Sequence, residues 1–357
     1  MIKEKIKNSI IIVVFLLISS ILALFFNFLN PILIKSFTNL NIISKNNSLL
    51  VHFVNVGQGD AIAINLPDGK VMCIDCGPNR SVVGLEEYLK SKVVNDKRNK
   101  KIDYLVLTHS DADHVGGLER LVEDFYIDTI FLPTSFEETQ TYMRILNKLD
   151  EYNTEILYNT NGYEINNAGY EIQFLVSSEY NNENDLSAVV KLEYQNRRFL
   201  FAADIEAKAE HYFVNNAFDL DADVLKVAHH GSKYSSSKEF LDKVNCKYAI
   251  ISSADTEKLP SGEALSRLEM AGANILTTYE QGTMCFAVGD NYDLSLFVGS
   301  YTTTNHKLDY RIVLIVVDFV AVAIYAVSIV KTKKEKRKAR ISREDLDKEL
   351  EIFEEII

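Results

Sequence analysis

The segment THSDADHVGGL, residues 108 to 118, places four potential cation ligands, His109, Asp111, Asp113 and His114, within six positions. The apolar run YLVLTH leads into it as a buried strand, and the Gly116-Gly117 pair opens a helix. The ligands therefore stand on the turn at the carboxyl end of a strand, where tight backbone packing lets side chains converge on a cation. Imidazole and carboxylate together suit Zn²⁺, Mn²⁺ or Fe, and the lack of thiolates in this segment argues against a structural zinc site. Two further strands end in the same way, RFLFAAD at Asp204 and DVLKVAHHGS at His229 and His230. One carboxylate between two metals can bridge them, and one more histidine fills a second coordination sphere. Alone, Asp204 reads as the N-cap of the helix IEAKAEHY; beside the other strand ends it reads as a ligand. Alternation along DVLKVAHH sends His229 and His230 to opposite faces. One of them then ligates, with preference for His229, and the other donates a proton or holds a substrate oxygen.

The elements that must position these groups are legible in the pattern around them. LLVHFVNV, AIAINLP and KVMCIDCG are short β runs separated by GQGD and a Pro-Asp-Gly turn, an antiparallel meander. The period then changes to helix (VVGLEEYLKSKVV), strand (IDYLVLTH), helix (GGLERLVEDF), strand (TIFLP) and helix (TQTYMRILNKLDEY). The second half repeats the order through YEIQFLVS, SAVVKLEY, RFLFAAD, DVLKVAHH, YAIISSA and NILTTY with intervening helices, and closes on the strands TMCFAVGD and YDLSLFVG. Two such halves imply two mixed sheets packed together with helices outside, an α/β fold.

The whole chain of 357 residues is 47% hydrophobic and 25% charged, which excludes a disordered, collagenous or disulfide-stapled protein. Four cysteines make no framework, and Cys73, Cys76, Cys246 and Cys285 read as small apolar residues. The run Ile10 to Leu29 is long enough to cross a hydrocarbon core of about 30 Å. A second run, Ile312 to Val330, contains one charge, Asp318, at a cost of about 3 kcal/mol that its Ile and Val neighbours offset. Lys3, Lys5 and Lys7 precede the first run and KTKKEKRKAR follows the second, so both termini are expected in the cytoplasm with the intervening region outside. The expected organisation is a cytoplasmic N-terminus (1–9), a transmembrane helix (10–29), a linker (30–48), the chemistry-bearing domain (49–300), a linker (301–311), a second transmembrane helix (312–330) and a basic, then amphipathic cytoplasmic tail (331–357). Leu346, Leu350 and Phe353 share one side of that tail, a docking stripe for a protein partner. Residues 49–300 hold 22 Lys and Arg against 39 Asp and Glu, a formal charge of −17 that opposes a polyanion.

The motifs HFVNVGQGDAIAI, VMCIDCGP, LTHSDADHVGGL, NDLSAVVKLEYQNRRFLFAADIE, DVLKVAHHGSKYSSSKEFL and YEQGTMCFAVGD resemble the metallo-β-lactamase superfamily. The likeness is greatest to the extracytoplasmic domain of the ComEC competence proteins, over about 49 to 299 and in that family's order. The resemblance implies an αββα sandwich and two divalent metal ions, Zn or Mn. It assigns His109 and Asp111 to one metal, Asp113 and His114 to the other, Asp204 to the bridge, and His229 or His230 to complete the set. Asp60 and Asp75 would form the floor of the site, and Asp113, His230 and Asp60 are the expected catalytic residues. The family's H-x-H-x-D-H signature stands here as H-x-D-x-D-H. Its G-H-P-S-P-E element reads KLPSGE, with Leu259 in place of the histidine, which bears on substrate handling. The large polytopic part of ComEC proteins has no counterpart in two spans.

The expected function is that of a membrane-tethered, outward-facing dimetal hydrolase acting on a cell-wall, small-molecule or nucleic-acid phosphodiester. An extracellular nuclease linked to DNA uptake is the alternative, with Lys90 to Lys101 as its basic path. A different class is a non-catalytic metal-binding sensor or scaffold, which Leu259, Asp318 and the amphipathic tail would suit.

Overall fold

Short β-branched and aromatic runs bounded by turn residues become strands, and the strand ends decide where the polar motifs meet. A computed structural model of the chain describes residues 48–299 apart from 95–99, 135–139, 168, 181, 255, 257 and 290–292, together with 331, 337 and 340. The first half runs β1 (Leu49–Phe53), β2 (Ile62–Asn65), β3 (Val71–Ile74), β4 (Lys101–Val106), β5 (Tyr126–Leu132) and β6 (Glu155–Tyr158). The second runs β7 (Glu164–Asn167), β8 (Tyr170–Leu175), β9 (Val189–Tyr194), β10 (Arg197–Phe201), β11 (Val224–Lys226), β12 (Tyr248–Ile251) and β13 (Asn274–Thr277). The last two strands, β14 (Thr283–Val288) and β15 (Leu294–Gly299), return to the first sheet, where β14 pairs with β1 from Leu49↔Val288 to Phe53↔Met284. The sheet orders are β15-β14-β1-β2-β3-β4-β5-β6 and β13-β12-β11-β10-β9-β8-β7. Both are mixed, with β3 to β6 and β10 to β13 parallel.

Strand alternation separates three cores. Met72 and Ile74 of β3 face the space between the sheets, where Phe53, Phe131, Phe174, Phe199 and Phe286 also meet, while Cys73 faces the helices. Each phenylalanine buried there is worth roughly 1.5–3 kcal/mol before conformational entropy. Helices Val82–Tyr88 and Leu118–Asp124 bury Leu85, Leu121 and Val122 against the first sheet. Helices Ala207–Asn215, Lys238–Val244 and Gly262–Met270 bury Phe213, Phe240 and Leu268 against the second. The order is helix, sheet, sheet, helix, the expected αββα sandwich of two mixed sheets. It lies within the unit Phe37–Asn305. The four cysteines are free and buried in it, and burial pushes the Cys73 thiol up to about 12.

Because β1, β3 and β4 run in one direction, their carboxyl ends, with the β1–β2 turn, lie along one edge of the first sheet; β10, β11 and β12 end along the matching edge of the second. The apolar runs at 10–29 and 312–330 and the tail from 342 lie outside the described residues. Among the described residues no helix is long and apolar enough to cross a membrane.

Candidate metal centre

Five strand exits meet at this edge. Asp60 comes from the turn after β1, Asp75 follows β3, and His109, Asp111, Asp113 and His114 follow β4. Asp204 follows β10, and His229 and His230 follow β11. The exits are held to one another by backbone hydrogen bonds: Cys76 N–H donates to His114 O (2.7 Å), Gly117 N–H to Gly77 O (3.0 Å), Gly77 N–H to Asp60 O (2.7 Å) and Asp60 N–H to Asp113 O (3.2 Å). Two glycines permit this closeness. A Cβ on Gly59, which has φ +135°, would lie 2.3 Å from Asp113 O, and one on Gly117 would lie 2.5 Å from Cys76 O. Asp75, Ala203, His229 and His230 adopt left-handed backbone despite their side chains, the kind of cost that folds accept where geometry serves a site.

The hydrogen bonds fix which nitrogen each histidine turns inward. Asp75 accepts from Thr108 N–H (2.8 Å), Thr108 Oγ1–H (2.8 Å) and His114 Nδ1–H (2.7 Å). With its own hydrogen committed to Asp75, Thr108 Oγ1 accepts from His109 Nδ1–H at 3.0 Å. His230 Nδ1–H donates to the Ser252 carbonyl at 2.7 Å. All three rings thus present Nε2 to the centre, the arrangement of ligating histidines held from behind.

Those nitrogens converge on carboxylates from both halves of the chain. His114 Nε2 is 3.3 Å from Asp204 Oδ1 and 3.4 Å from His230 Nε2. His230 Nε2 is 3.4 Å from Asp204 Oδ2 and 3.2 Å from Asp113 Oδ2. His109 Nε2 stands 4.0 Å from Asp204 Oδ2 and 3.6 Å from Asp111 Oδ2, whose side chain is half exposed. Two groups of three share His114: His109, His114 and Asp204, and Asp113, His114 and His230. A third group joins Asp60, Asp204 and His230, and a fourth Asp60, Asp75 and His114.

The donor set fits divalent cations. Asp60 Oδ1, His109 Nε2 and Asp204 Oδ1 are buried with no hydrogen-bond partner, although an unpartnered buried polar atom is costly. The two Nε2 atoms 3.4 Å apart are at a spacing that two tetrahedral bonds of about 2.0–2.1 Å can span. Charge tells the same story. Burial disfavours the charged form of His114 and His230, yet Asp204 outweighs it, helped by Asp75 at His114 and by Asp113 at His230, so both imidazoles sit above their ordinary value. Burial likewise opposes ionisation of Asp113 and Asp204. The imidazoles overcome it, His230 foremost, holding Asp113 at about 2 and Asp204 well below the usual carboxylate range.

One expectation from the sequence changes here, and the N-cap reading of Asp204, already set aside, falls away. β11 ends at Lys226, so His229 and His230 do not alternate on a strand; both lie in a left-handed turn spanning Ala228–Gly231. That turn carries His230, buried, into the carboxylate cluster. His229 is 24% exposed, its Nε2 is 3.9 Å from Asp204 Oδ2, and its Nδ1 lies 3.2 Å from Glu206 Oε1 without forming a hydrogen bond. His229, the preferred ligand on sequence grounds, belongs to none of the convergent groups, and His230 belongs to two. Asp204 does not cap a helix: Asp185 Oδ1 accepts from Glu206 N–H (3.0 Å) and Ala209 N–H (3.3 Å) at the start of helix Ala207–Asn215, leaving Asp204 free to face the histidines.

Lys226 escaped the sequence reading. It is fully buried, its Nζ pairs with Asp60 Oδ2, donates to Ala203 O at 3.3 Å and lies 3.8 Å from Asp204 Oδ1. Burial pulls its pKa down, and Asp60 and Asp204 more than offset this and raise it. The available signal was a lysine inside an apolar parallel strand, where charge is rare unless paired. Beside the centre, Ser261 N–H donates to Gly231 O (2.9 Å), so the segment bearing Leu259 rests on the HHG turn. Among the described residues of the basic run, Lys90 pairs with Asp124 and Glu86, Lys100 approaches Asp124, and Lys101 pairs with Asp103 and Asp128.

Residues 54–135 match the profile of the Metallo-beta-lactamase superfamily. The chain is 27% identical over 251 residues to the ComE operon protein 3 of Bacillus subtilis, covering 66% of this chain and 32% of that protein. It is 28% identical over 238 residues to Recombination protein 2 of Haemophilus influenzae, covering 65% and 28%. It therefore spans about a third of the length of these curated relatives. Among solved structures, the metallo-beta-lactamase fold protein YhfI from Bacillus subtilis aligns at a TM-score of 0.46 and 10% identity, over 66% of this chain and 98% of that one. Residues 54–135 thus resemble the metallo-β-lactamase superfamily. Within that superfamily the chain resembles the ComEC competence proteins.

Proposed function

We propose that the protein is a dimetal phosphodiesterase, anchored in the membrane by the runs at 10–29 and 312–330 with the domain outside the cell. The observation that carries the reading is the convergence of His109, His114 and His230 Nε2 on the two oxygens of Asp204. His109 and Asp111 would hold one cation, Asp113, His114 and His230 the other, and Asp204 would bridge; Zn²⁺ and Mn²⁺ suit these donors. When bound, such a pair activates water near neutral pH and stabilises charge growing on a phosphoryl oxygen. Asp75 and Ser252 orient the imidazoles, Asp60 forms the floor, and His229, at the solvent edge of the same turn, is placed to meet a substrate or leaving group. A small or wall-bound phosphodiester suits a domain of formal charge −17 whose described basic run is paired with acid.

A nucleic-acid substrate is the second reading, favoured by relatives named for the competence operon and recombination. Hydrolysis of bis-p-nitrophenyl phosphate by the full-length protein in detergent, with Mn²⁺ or Zn²⁺ added, tests the enzyme class. Turnover that chelation or Asp204→Asn abolishes is expected. Stoichiometric metal binding without turnover of any phosphodiester would leave a sensor or scaffold as the better account.

A further inference from the structure

Five carboxylates, those of Asp60, Asp75, Asp111, Asp113 and Asp204, crowd the edge where the two sheets end. Four are partnered by imidazoles that must give up their Nε2 protons to bind metal. Asp60 also lies 3.6 Å from His230 Nδ1 and 3.9 Å from His114 Nδ1, but a permanent cation is set against it. The Lys226 ammonium is fully buried, pairs with Asp60 Oδ2, donates to Ala203 O and lies 3.8 Å from Asp204 Oδ1. It projects from the end of β11, three residues before His229, and no solvent reaches it. A group so enclosed cannot touch a substrate, so its effect must be exerted through the residues it holds.

We propose that Lys226 is a built-in counter-cation of the metal centre, a positioning residue that neutralises Asp60, steadies Asp204, and lets the carboxylate-rich site fold before metal arrives at the cost of weaker metal binding. The proposal rests on the metal-binding reading above. Its physical basis is the sign of the charge. Without Lys226, the buried Asp60 carboxylate is uncompensated, which destabilises the metal-free fold and adds attraction for a divalent cation. Without the Asp60 charge, Lys226 keeps only the more distant Asp204 carboxylate, and its excess positive charge repels the cations. The two single substitutions must therefore move metal affinity in opposite directions, whereas damage to packing would weaken it in both.

The test uses the full-length protein in detergent, with Mn²⁺ affinity from calorimetry and melting followed with and without Mn²⁺. Lys226→Met should bind Mn²⁺ at least about tenfold more tightly, a floor well below the roughly thousandfold that one unit charge about 4 Å away gives at an effective dielectric of about 20, and should lose more melting temperature without metal than with it. Asp60→Asn should bind at least about tenfold more weakly. The double variant, with both charges gone, should return close to the unmodified affinity. Single variants that both weaken binding, or a Lys226→Met loss equal in the two metal states, would overturn the proposal. If Lys226→Met folds only when Mn²⁺ is present, that supports it; if neither it nor the double variant folds in either state, Lys226 is needed for packing and the proposal fails. Unmodified protein that binds neither Mn²⁺ nor Zn²⁺ would remove the metal-binding reading itself, an outcome distinct from same-direction shifts in variants of a protein that does bind.

Discussion

The Nε2 atoms of His114 and His230 face each other across 3.4 Å although 116 residues separate them in the chain. Each is held from behind on its other nitrogen, His114 by Asp75 and His230 by the Ser252 carbonyl. Neither ring can turn away without breaking a buried hydrogen bond, so the pair is a preassembled place for a cation.

The first prediction concerns pH. Both imidazoles lie above the ordinary value of 6.5 in the metal-free fold, held there against burial by Asp204 and its neighbours. The stability they contribute is complete below the unfolded value and is lost as pH rises through their folded values. Metal must displace these protons, so its affinity should rise with pH over the same window. Melting temperatures in chelator should fall on going from pH 6 to pH 9 while those in Mn²⁺ hold or climb; parallel curves would contradict the assignment.

Asp75 is predicted to matter through His114 and Thr108, both of which donate to it. Asp75→Asn should weaken metal binding by about 10–100-fold, the usual cost of losing the partner behind a ligating histidine. Calorimetric titration with Mn²⁺ or Zn²⁺ checks this, and an unchanged affinity would show that His114 is oriented by packing alone.

His52 provides an acid-stability prediction remote from the metals. Its ring is buried in β1, with Nε2 3.1 Å from Asn65 Oδ1 and Nδ1 2.8 Å from Tyr88 Oη, and Asn65 Nδ2–H donates to Val93 O, which fixes the amide orientation. Burial lowers its pKa to about 4. A depressed value means the stability is present above 6.5 and is lost as pH falls towards 4, a contribution of about 3 kcal/mol. His52→Gln should flatten the fall in denaturation midpoint between pH 6.5 and pH 4, whatever its effect on stability at neutral pH.

Leu259 stands in the segment resting on the HHG turn, where the family resemblance places a histidine. Leu259→His should raise cleavage of single-stranded DNA several-fold and change hydrolysis of a small phosphodiester little. The DNA activity should collapse as salt rises, because a domain at −17 meets a polyanion mainly through screened contacts. Rates for both substrates across a salt series decide this; fast, salt-tolerant DNA cleavage by the unmodified protein would make nuclease the primary activity.

Topology yields the last prediction. Lys3, Lys5 and Lys7 before one apolar run and KTKKEKRKAR after the other lead us to expect both termini inside. Protease added to intact cells should remove the domain at 49–300 and spare terminal tags. Digestion of the tags with a protected domain would reverse the orientation.

Residue type and spacing alone determined much of this protein. The turn from His109 to His114, Asp204 at the end of RFLFAAD and the HHG element could be read as convergent ligands, because a polar cluster closing an apolar strand is a local signal. The two-sheet sandwich followed from hydrophobic period, which is also local. Tertiary structure decided what depends on partners far along the chain. It turned His230 inward and left His229 at the solvent edge through a left-handed turn that strand alternation does not foresee. It gave the N-terminus of helix Ala207–Asn215 to Asp185, which freed Asp204 for the centre. It brought β14 back beside β1, and it buried Lys226 against Asp60, 166 positions earlier in the chain. Such pairings are set by how strand exits meet in space, and they leave no periodic trace in the residues on either side.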